Sequence, residues 1–459
     1  MNVLVLMCDQ LRYDALGCHG NPCVHTPNID RLAAHSVRFT RASCSSPVCG
    51  PTRHSLATGL YPYQHGVINN VVLPLEGMHT IAHHLRRHEF RTACFGHMHW
   101  QRIETNDGRE HAFPDHGYEH YDAIVHDTSS LTGSQKSRRA WESIGSTMQA
   151  TAGPSVVNEE DSYSKQVADA SIARLCEWAK KGESFLSWTS FNDPHPPFFP
   201  PAELYAKYAA MDLPPPVNRP PDARPSHEET SDRVAWSMMT ELDHRVMKSG
   251  YYGLVELADR QLGRVLDVLD ELDLSQNTII FFTADHGEMM GDFGRYMKSV
   301  MWEQSVHIPF FLCHPDIEPG QRDELVEHVD LFPTVCELLD LPVPDQVQGR
   351  SLAPLLESTE TPSDWRQYAL SQLEDDLMVR TDRWKLIYRN GEPRHLFDLE
   401  SDPDEFYDCL AEQHDVAAEL ESVWQADHPD LFAANERIRA SGRVRKKKRK
   451  PAITFAETP

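Results

Sequence analysis

Asn2-Val3-Leu4-Val5-Leu6-Met7-Cys8-Asp9-Gln10 is the stretch from which the fold is read. Residues 3–7 are uninterruptedly apolar, and the run ends abruptly in an acid and an amide. It reads as a buried first strand whose end delivers polar side chains. The same grammar recurs downstream. Residues 92–95 run into His97 and His99, residues 185–191 into Asn192-Asp193-Pro194-His195, and residues 278–283 into Asp285-His286; residues 309–313 form a further apolar run. Helical patterns fill the intervals at residues 28–35, 80–88, 164–180 and 252–272. In the third, Val167, Ala170, Ile172, Leu175, Trp178 and Ala179 mark a core-facing stripe, and Trp178 reads as packing. Strands alternating with helices predict an α/β fold with a doubly wound mixed sheet flanked by helices. Ligands of open α/β sheets bind beyond the carboxyl ends of the strands, so the polar clusters are expected to converge on one site.

Two loop regions break the rhythm. Residues 101–158 are rich in His, Asp, Ser and Gly, and residues 194–231 are rich in Pro. Both read as lids or specificity elements. Trp100, Trp141, Trp188, Phe198, Phe199, Tyr251 and Tyr252 lie in or near them, available for packing or for stacking on a substrate ring. Residues 357–364 read as a linker. Beyond it, residues 378–380, 384–388 and 395–398 alternate around Asn390-Gly391, a hairpin signal, followed by a helix at 416–426. The expected organisation is a catalytic α/β domain at 1–356, a small C-terminal antiparallel α+β subdomain at 365–440, and a basic tail at 441–459.

Of the 459 residues, 40% are apolar and 25% charged, and no stretch is apolar for long enough to span a bilayer, which predicts a soluble globular protein. The N-terminus lacks a basic region before its short apolar run, so the chain is expected to be cytoplasmic. Its ten cysteines are then expected to be reduced, and mostly small buried hydrophobes, since no C-x-x-C pair occurs. The net charge of −25 argues against nucleic acid as a partner. The basic run at 443–450 (RVRKKKRK) dissents and reads as a solvated tail or a subunit-docking arm, which invites a homo-oligomer.

Asp9, Gln10, Asp285 and His286 carry the oxygen and imidazole donors of a divalent-cation site, and the imidazole shades the preference away from calcium alone. Cys49-Gly50-Pro51-Thr52-Arg53, preceded by Ser45-Ser46-Pro47 and followed by a predicted helix at 54–59, is the sharpest local feature. Taken alone, Cys49 reads equally as a buried thiol or a nucleophile.

The ordered set of motifs resembles the formylglycine-dependent sulfatase family of the alkaline phosphatase superfamily. The resemblance rests on Met7-Cys8-Asp9-Gln10, Thr26-Pro27-Asn28-Ile29-Asp30-Arg31-Leu32, Ser46-Pro47-Val48-Cys49-Gly50-Pro51-Thr52-Arg53, Thr58-Gly59-Leu60-Tyr61-Pro62, Phe282-Thr283-Ala284-Asp285-His286-Gly287-Glu288, Lys298 and Leu396-Phe397-Asp398-Leu399. It implies an alkaline-phosphatase-like fold and a sulfuric ester hydrolase. A separate maturation enzyme would oxidise Cys49 to formylglycine (3-oxoalanine), whose hydrate attacks the ester sulfur. It further implies one divalent cation, calcium first with manganese or magnesium as alternatives, held by Asp9, Gln10, modified Cys49, Asp285 and His286. Arg53 would bond the formylglycine, and His99 would act as base toward it. His195 would face the leaving oxygen as general acid, and Lys298 would bind a sulfate oxygen. The substrate would be a small-molecule or saccharide sulfate ester.

Gln10 and His286 stand where many sulfatases carry Asp and Asn, a pairing that resembles the choline-sulfatase and phosphonate monoester hydrolase branches. His97 stands where the family usually has Lys, lowering the positive charge of the site at neutral pH. A phosphonate monoester or phosphodiester hydrolase with the same machinery is therefore the alternative reading. A pseudoenzyme or binding protein on this fold is a third, and a two-zinc phosphatase using Thr52 a fourth.

Overall fold

The computed structural model describes residues 1–72, 77–99, 116–122, 152–218, 239–358 and 360–441. Trp100, Trp141, the basic run and most of the first loop region lie outside these residues. Strands β1 (Asn2–Asp9), β2 (Val37–Ser43), β3 (Arg91–Gly96), β4 (His120–Asp122), β5 (Phe185–Pro194), β6 (Thr278–Ala284), β7 (Phe310–Cys313) and β8 (Gly320–Glu327) form one sheet, ordered β4-β3-β5-β1-β6-β7-β2-β8. β1 is parallel to β5 and β6, β3 is parallel to β4 and β5, and β2 is parallel to β8. Only β7 runs against its neighbours, which makes the sheet mixed as expected.

Position explains why the apolar runs were legible. β1 and β6 are buried at every residue, and each has a strand on both edges. β2 and β8 escaped sequence reading because each has charged residues along an incompletely covered stretch: Arg38 and Arg41 in one, Arg322, Asp323 and Glu324 in the other. The helix Tyr163–Lys181 buries Ser164, Val167, Ala168, Ser171, Leu175 and Trp178, so the stripe is rotated slightly from expectation and Ala170, Ile172 and Ala179 are half-buried. Trp178 stacks on Phe185 with ring centroids 4.9 Å apart, a packing contact as predicted. The expected helix at 252–272 starts much earlier, at Glu241, where Thr240 and Asp243 close a capping box.

A second sheet, antiparallel and ordered β12-β11-β10-β9, comprises β9 (Ala369–Leu373), β10 (Asp376–Arg380), β11 (Trp384–Arg389) and β12 (Glu392–Asp398). Asn390 and Gly391 both take positive φ, as a tight β11–β12 turn requires. Leu377, Val379, Leu386, Tyr388 and Leu396 pack with Trp424 of the helix His414–Asp427 and Leu431 of the helix Leu431–Ala440. All ten cysteines are free thiols, but only Cys8, Cys44, Cys49, Cys94 and Cys336 are fully buried; the others are half-buried.

Candidate active site

The polar clusters follow β3, β5, β1 and β6, which are consecutive neighbours in the sheet. Because these strands are mutually parallel, all four clusters emerge on one side. The four clusters converge as expected: Asp9 lies near Asp285, His286 and His97, His97 beside His99, and His195 is joined to Gln10 through Lys298.

Cys49 corrects one expectation. The helix predicted at 54–59 begins at Cys49 itself and runs Cys49–Thr58, with Val48 extended as its N-cap. Pro51 is accommodated because the first-turn amides of a helix need no intrahelical partner. Arg53 therefore lies one turn beyond Cys49 on the same face. Its guanidinium is fully buried and fans across the strand ends. Nε donates to Asp285 Oδ2 at 2.9 Å, Nη2 to Asp9 Oδ2 at 3.0 Å, and Nη1 to Ser190 Oγ at 2.8 Å and to the His97 carbonyl. One side chain thus ties the helix that begins at Cys49 to β1, β5, the segment after β6 and the segment after β3.

Asp9, Cys49, Asp285 and His286 present donor atoms that all lie within 4.8 Å of one another, each residue buried. Cys49 Sγ is 3.1 Å from His286 Nε2 and 3.8 Å from Asp9 Oδ1. His286 Nδ1 lies 3.0 Å from the Gly287 carbonyl, which fixes the tautomer with Nε2 as a free donor atom facing the cluster. Two carboxylates, an imidazole and a fourth ligand position fit a divalent cation. Burial works against charge on Asp9, but His195, Arg53 and Lys298 outweigh it and hold the carboxyl below the usual range. Burial and the neighbouring Asp9 push the Cys49 thiol well above its ordinary value.

A second tier, half-buried, rims this floor: His97, His99, His195 and Lys298. Lys298 donates to the side-chain oxygen of Gln10, and its Nζ is 2.9 Å from His195 Nε2. His195 Nδ1 is 2.7 Å from the Pro196 carbonyl. Desolvation, then the nearby Lys298, lowers His195 to about 4. His97 Nε2 lies 3.1 Å from His99 Nδ1 and 3.7 Å from Asp9 Oδ2. Desolvation, then Arg53, lowers His99 to about 3.

Several contributors were not read from the sequence. Ser190 holds Arg53 from inside a strand. His328 sits 2.8 Å from Thr52 Oγ1 and 3.0 Å from the Ala284 carbonyl, joining the helix Cys49–Thr58 to the end of β6. Of the aromatics read as packing or stacking candidates, Tyr251 is buried and donates to the Gln10 carbonyl, so it serves as scaffold, as do buried Trp188, Phe198 and Tyr252. The signal for Ser190 and His328 was a polar residue within or beside an apolar run, which does not say where it points.

A model of the family described as Sulfatase matches residues 1–341, and one described as N-sulphoglucosamine sulphohydrolase, C-terminal, matches residues 291–426. The chain is 29% identical to an arylsulfatase of Clostridium perfringens, over 89% of this chain and 90% of that protein. It is 28% identical to a choline-sulfatase of Rhizobium meliloti, over 88% of this chain and 81% of that one. Among solved structures it is similar to the phosphonate monoester hydrolase of Agrobacterium radiobacter, with a TM-score of 0.73, 25% identity and coverage of 95% and 96%. The chain belongs to the sulfatase family, within the alkaline phosphatase superfamily. It is an enzyme, a sulfuric ester hydrolase. Among the described residues no helix is long and apolar enough to cross a membrane.

Proposed function

We propose that the enzyme cleaves a sulfate ester through a formylglycine derived from Cys49 and one divalent cation. Asp9, Gln10, Asp285, His286 and the modified Cys49 would hold the cation, calcium first, with manganese or magnesium as alternatives. The observation that carries this reading is the placement of Cys49 Sγ at a helix start inside the donor cluster, 3.1 Å from His286 Nε2. As a thiol, Cys49 is desolvated beside Asp9 and held protonated, which makes it a poor nucleophile unmodified. The hydrated aldehyde supplies a hydroxyl nucleophile, and a divalent cation supplies Lewis-acid stabilisation of charge on the transferring group.

The chain's own residues supply the rest. Arg53, locked by Asp9 and Asp285, is a fixed positive charge one helical turn from residue 49. His99, neutral at pH 7, is an available proton acceptor on the rim. Lys298 would offer a donor to an ester oxygen, and His195, whose Nε2 lies 2.9 Å from its Nζ, would face the leaving oxygen. His97, where the family usually has a lysine, is a ring that burial and Arg53 keep from charging, so the site carries one fixed positive charge fewer toward its ester.

The second reading, a phosphonate monoester or phosphodiester hydrolase with the same machinery, is favoured by the Gln10 and His286 pair and by the similarity to phosphonate monoester hydrolase. Mass spectrometry of the peptide containing Cys49 tests the mechanism: protein co-expressed with a formylglycine-generating enzyme is expected to be about 18 Da lighter there. An unmodified thiol in active enzyme would overturn it. Paired turnover of an aryl sulfate and an aryl phosphonate ester, before and after chelation, separates the two chemistries and reads the cation requirement.

A further inference from the structure

Glu288 follows the cation cluster in sequence but belongs to no ligand set. Its carboxylate is buried at the back of Gln10. One oxygen accepts from the backbone N–H of Met290 at 3.1 Å and of Met297 at 2.5 Å; the other accepts from the Gln10 side-chain amide nitrogen. Met290 and Met297 both adopt positive φ, and so does Gln10, so the chain adopts a left-handed backbone to aim these groups. On its other side, Gln10 Oε1 accepts from Lys298.

The chemistry of this sandwich is specific. A Gln side chain has two ends of nearly identical shape and opposite character, an acceptor oxygen and a donor nitrogen. As a cation ligand, only the oxygen serves. An Asp at this position would present oxygen in either rotation, but a Gln has to be oriented. An ionised carboxylate is a pure acceptor and an ammonium a pure donor. Gln10 between them has one satisfied orientation: nitrogen to Glu288, oxygen to Lys298 on the rim of the site. Three donors converge on Glu288, leaving its two oxygens both in accepting roles.

We infer that Glu288 is a positioning residue that turns the Gln10 carbonyl oxygen toward the cation site, the partner that makes a Gln usable there. This rests on the reading of Gln10 as a cation ligand. Partners of this kind typically govern cation affinity about 10-fold or more.

The test is calorimetric titration of Mn2+ into chelator-stripped full-length protein, with the Glu288→Gln change made in two backgrounds. With Gln10 present, the introduced amide offers both a donor and an acceptor, so Gln10 loses its unique orientation and Mn2+ affinity is expected to fall about 10-fold. In the Gln10→Glu background a carboxylate needs no orienting, and the introduced amide donates to it. The same change is then expected to leave affinity equal or higher. An equal loss in both backgrounds, or no loss with Gln10, overturns the proposal. If Glu288→Gln does not fold, Glu288→Asp, which withdraws the acceptor by one methylene, is read in the same two backgrounds with the same expectations. Gln10→Ala separates the premises: unchanged affinity there rejects Gln10 as a ligand, whereas a loss there without the background dependence rejects only the positioning role.

Discussion

Arg53 shows how much geometry one side chain can impose. Its buried fork meets Asp9, Asp285, Ser190 and the His97 carbonyl, so it neutralises the cluster and sets the spacing of the strand ends. Lysine keeps the charge but loses the planar fork that serves several acceptors at once. Arg53→Lys is expected to destabilise the fold by about 3 kcal/mol, since breaking a buried ion pair strands desolvated carboxylates. Urea unfolding monitored by circular dichroism measures this; an unchanged midpoint would refute the bracing role. Turnover should fall with it. The residue types were readable, because Asp-Gln, Asp-His and the Cys49–Arg53 segment are polar punctuation at the ends of apolar runs. What Arg53 would touch was not readable, because Ser190 and the His97 carbonyl come from segments far away in the chain.

At the scale of elements, the helix beginning at Cys49 and the turns leaving the strands decide where chemistry sits. Gly96 closes β3 with φ +86°, and a Cβ there would lie 2.1 Å from the Ser190 carbonyl oxygen. Gly391 has φ +81° in the β11–β12 turn, yet a Cβ there would meet nothing within 4 Å. The contrast yields a prediction. Gly391→Ala should lose about 1 kcal/mol, the backbone penalty alone, and keep full activity. Gly96→Ala should lose about 2 kcal/mol or more and also impair turnover, because the backbone it displaces carries His97 and His99. Thermal melts of the two variants beside steady-state assays at about 25 °C measure both; equal losses would contradict the reading. The Asn-Gly hairpin was legible because its signal is local. The earlier start at Cys49 was hidden, since Gly50 and Pro51 look like loop residues until the first turn is seen to need no amide donors.

At the scale of the molecule, buried charge crosses between the two sheets. Lys385 of β11, wholly buried, pairs with Glu405 at 2.6 Å and Glu303 at 2.9 Å, while Arg366 pairs with Glu327 and Asp330. Lys385→Met would leave the buried Glu405 uncompensated, while Glu303 keeps Arg380 at 3.3 Å, and a loss of about 3 kcal/mol is expected in urea titration. Buried neutral histidines add a pH dependence. Burial lowers His54 to about 4 and His328 to about 3, from an ordinary 6.5. Folded values below unfolded ones mean that the unfolded chain binds protons first as pH falls. Stability from these groups is thus complete above about 6.5 and drains toward the folded values, each losing about 2 kcal/mol by pH 5. The melting temperature should fall between pH 7 and 5, and less steeply in His54→Phe; a slope unchanged by that substitution would exclude His54 as a source.

Strand and helix alternation, the order of motifs, the hairpin and the residue types of the site were all determined by sequence alone, because each follows from local periodicity or from contiguous residues. β2 and β8 were not, since their charged residues suit positions that only the finished sheet leaves uncovered. Nor was the neighbourhood of β3, β5, β1 and β6. Parallel strands are joined by long crossovers, and which strands become neighbours is settled by packing across the whole molecule. The orientation of Gln10 belongs to the same category. An amide reads identically in sequence whichever way it faces, and only Glu288 and Lys298, brought to opposite ends of it by the fold, decide the question.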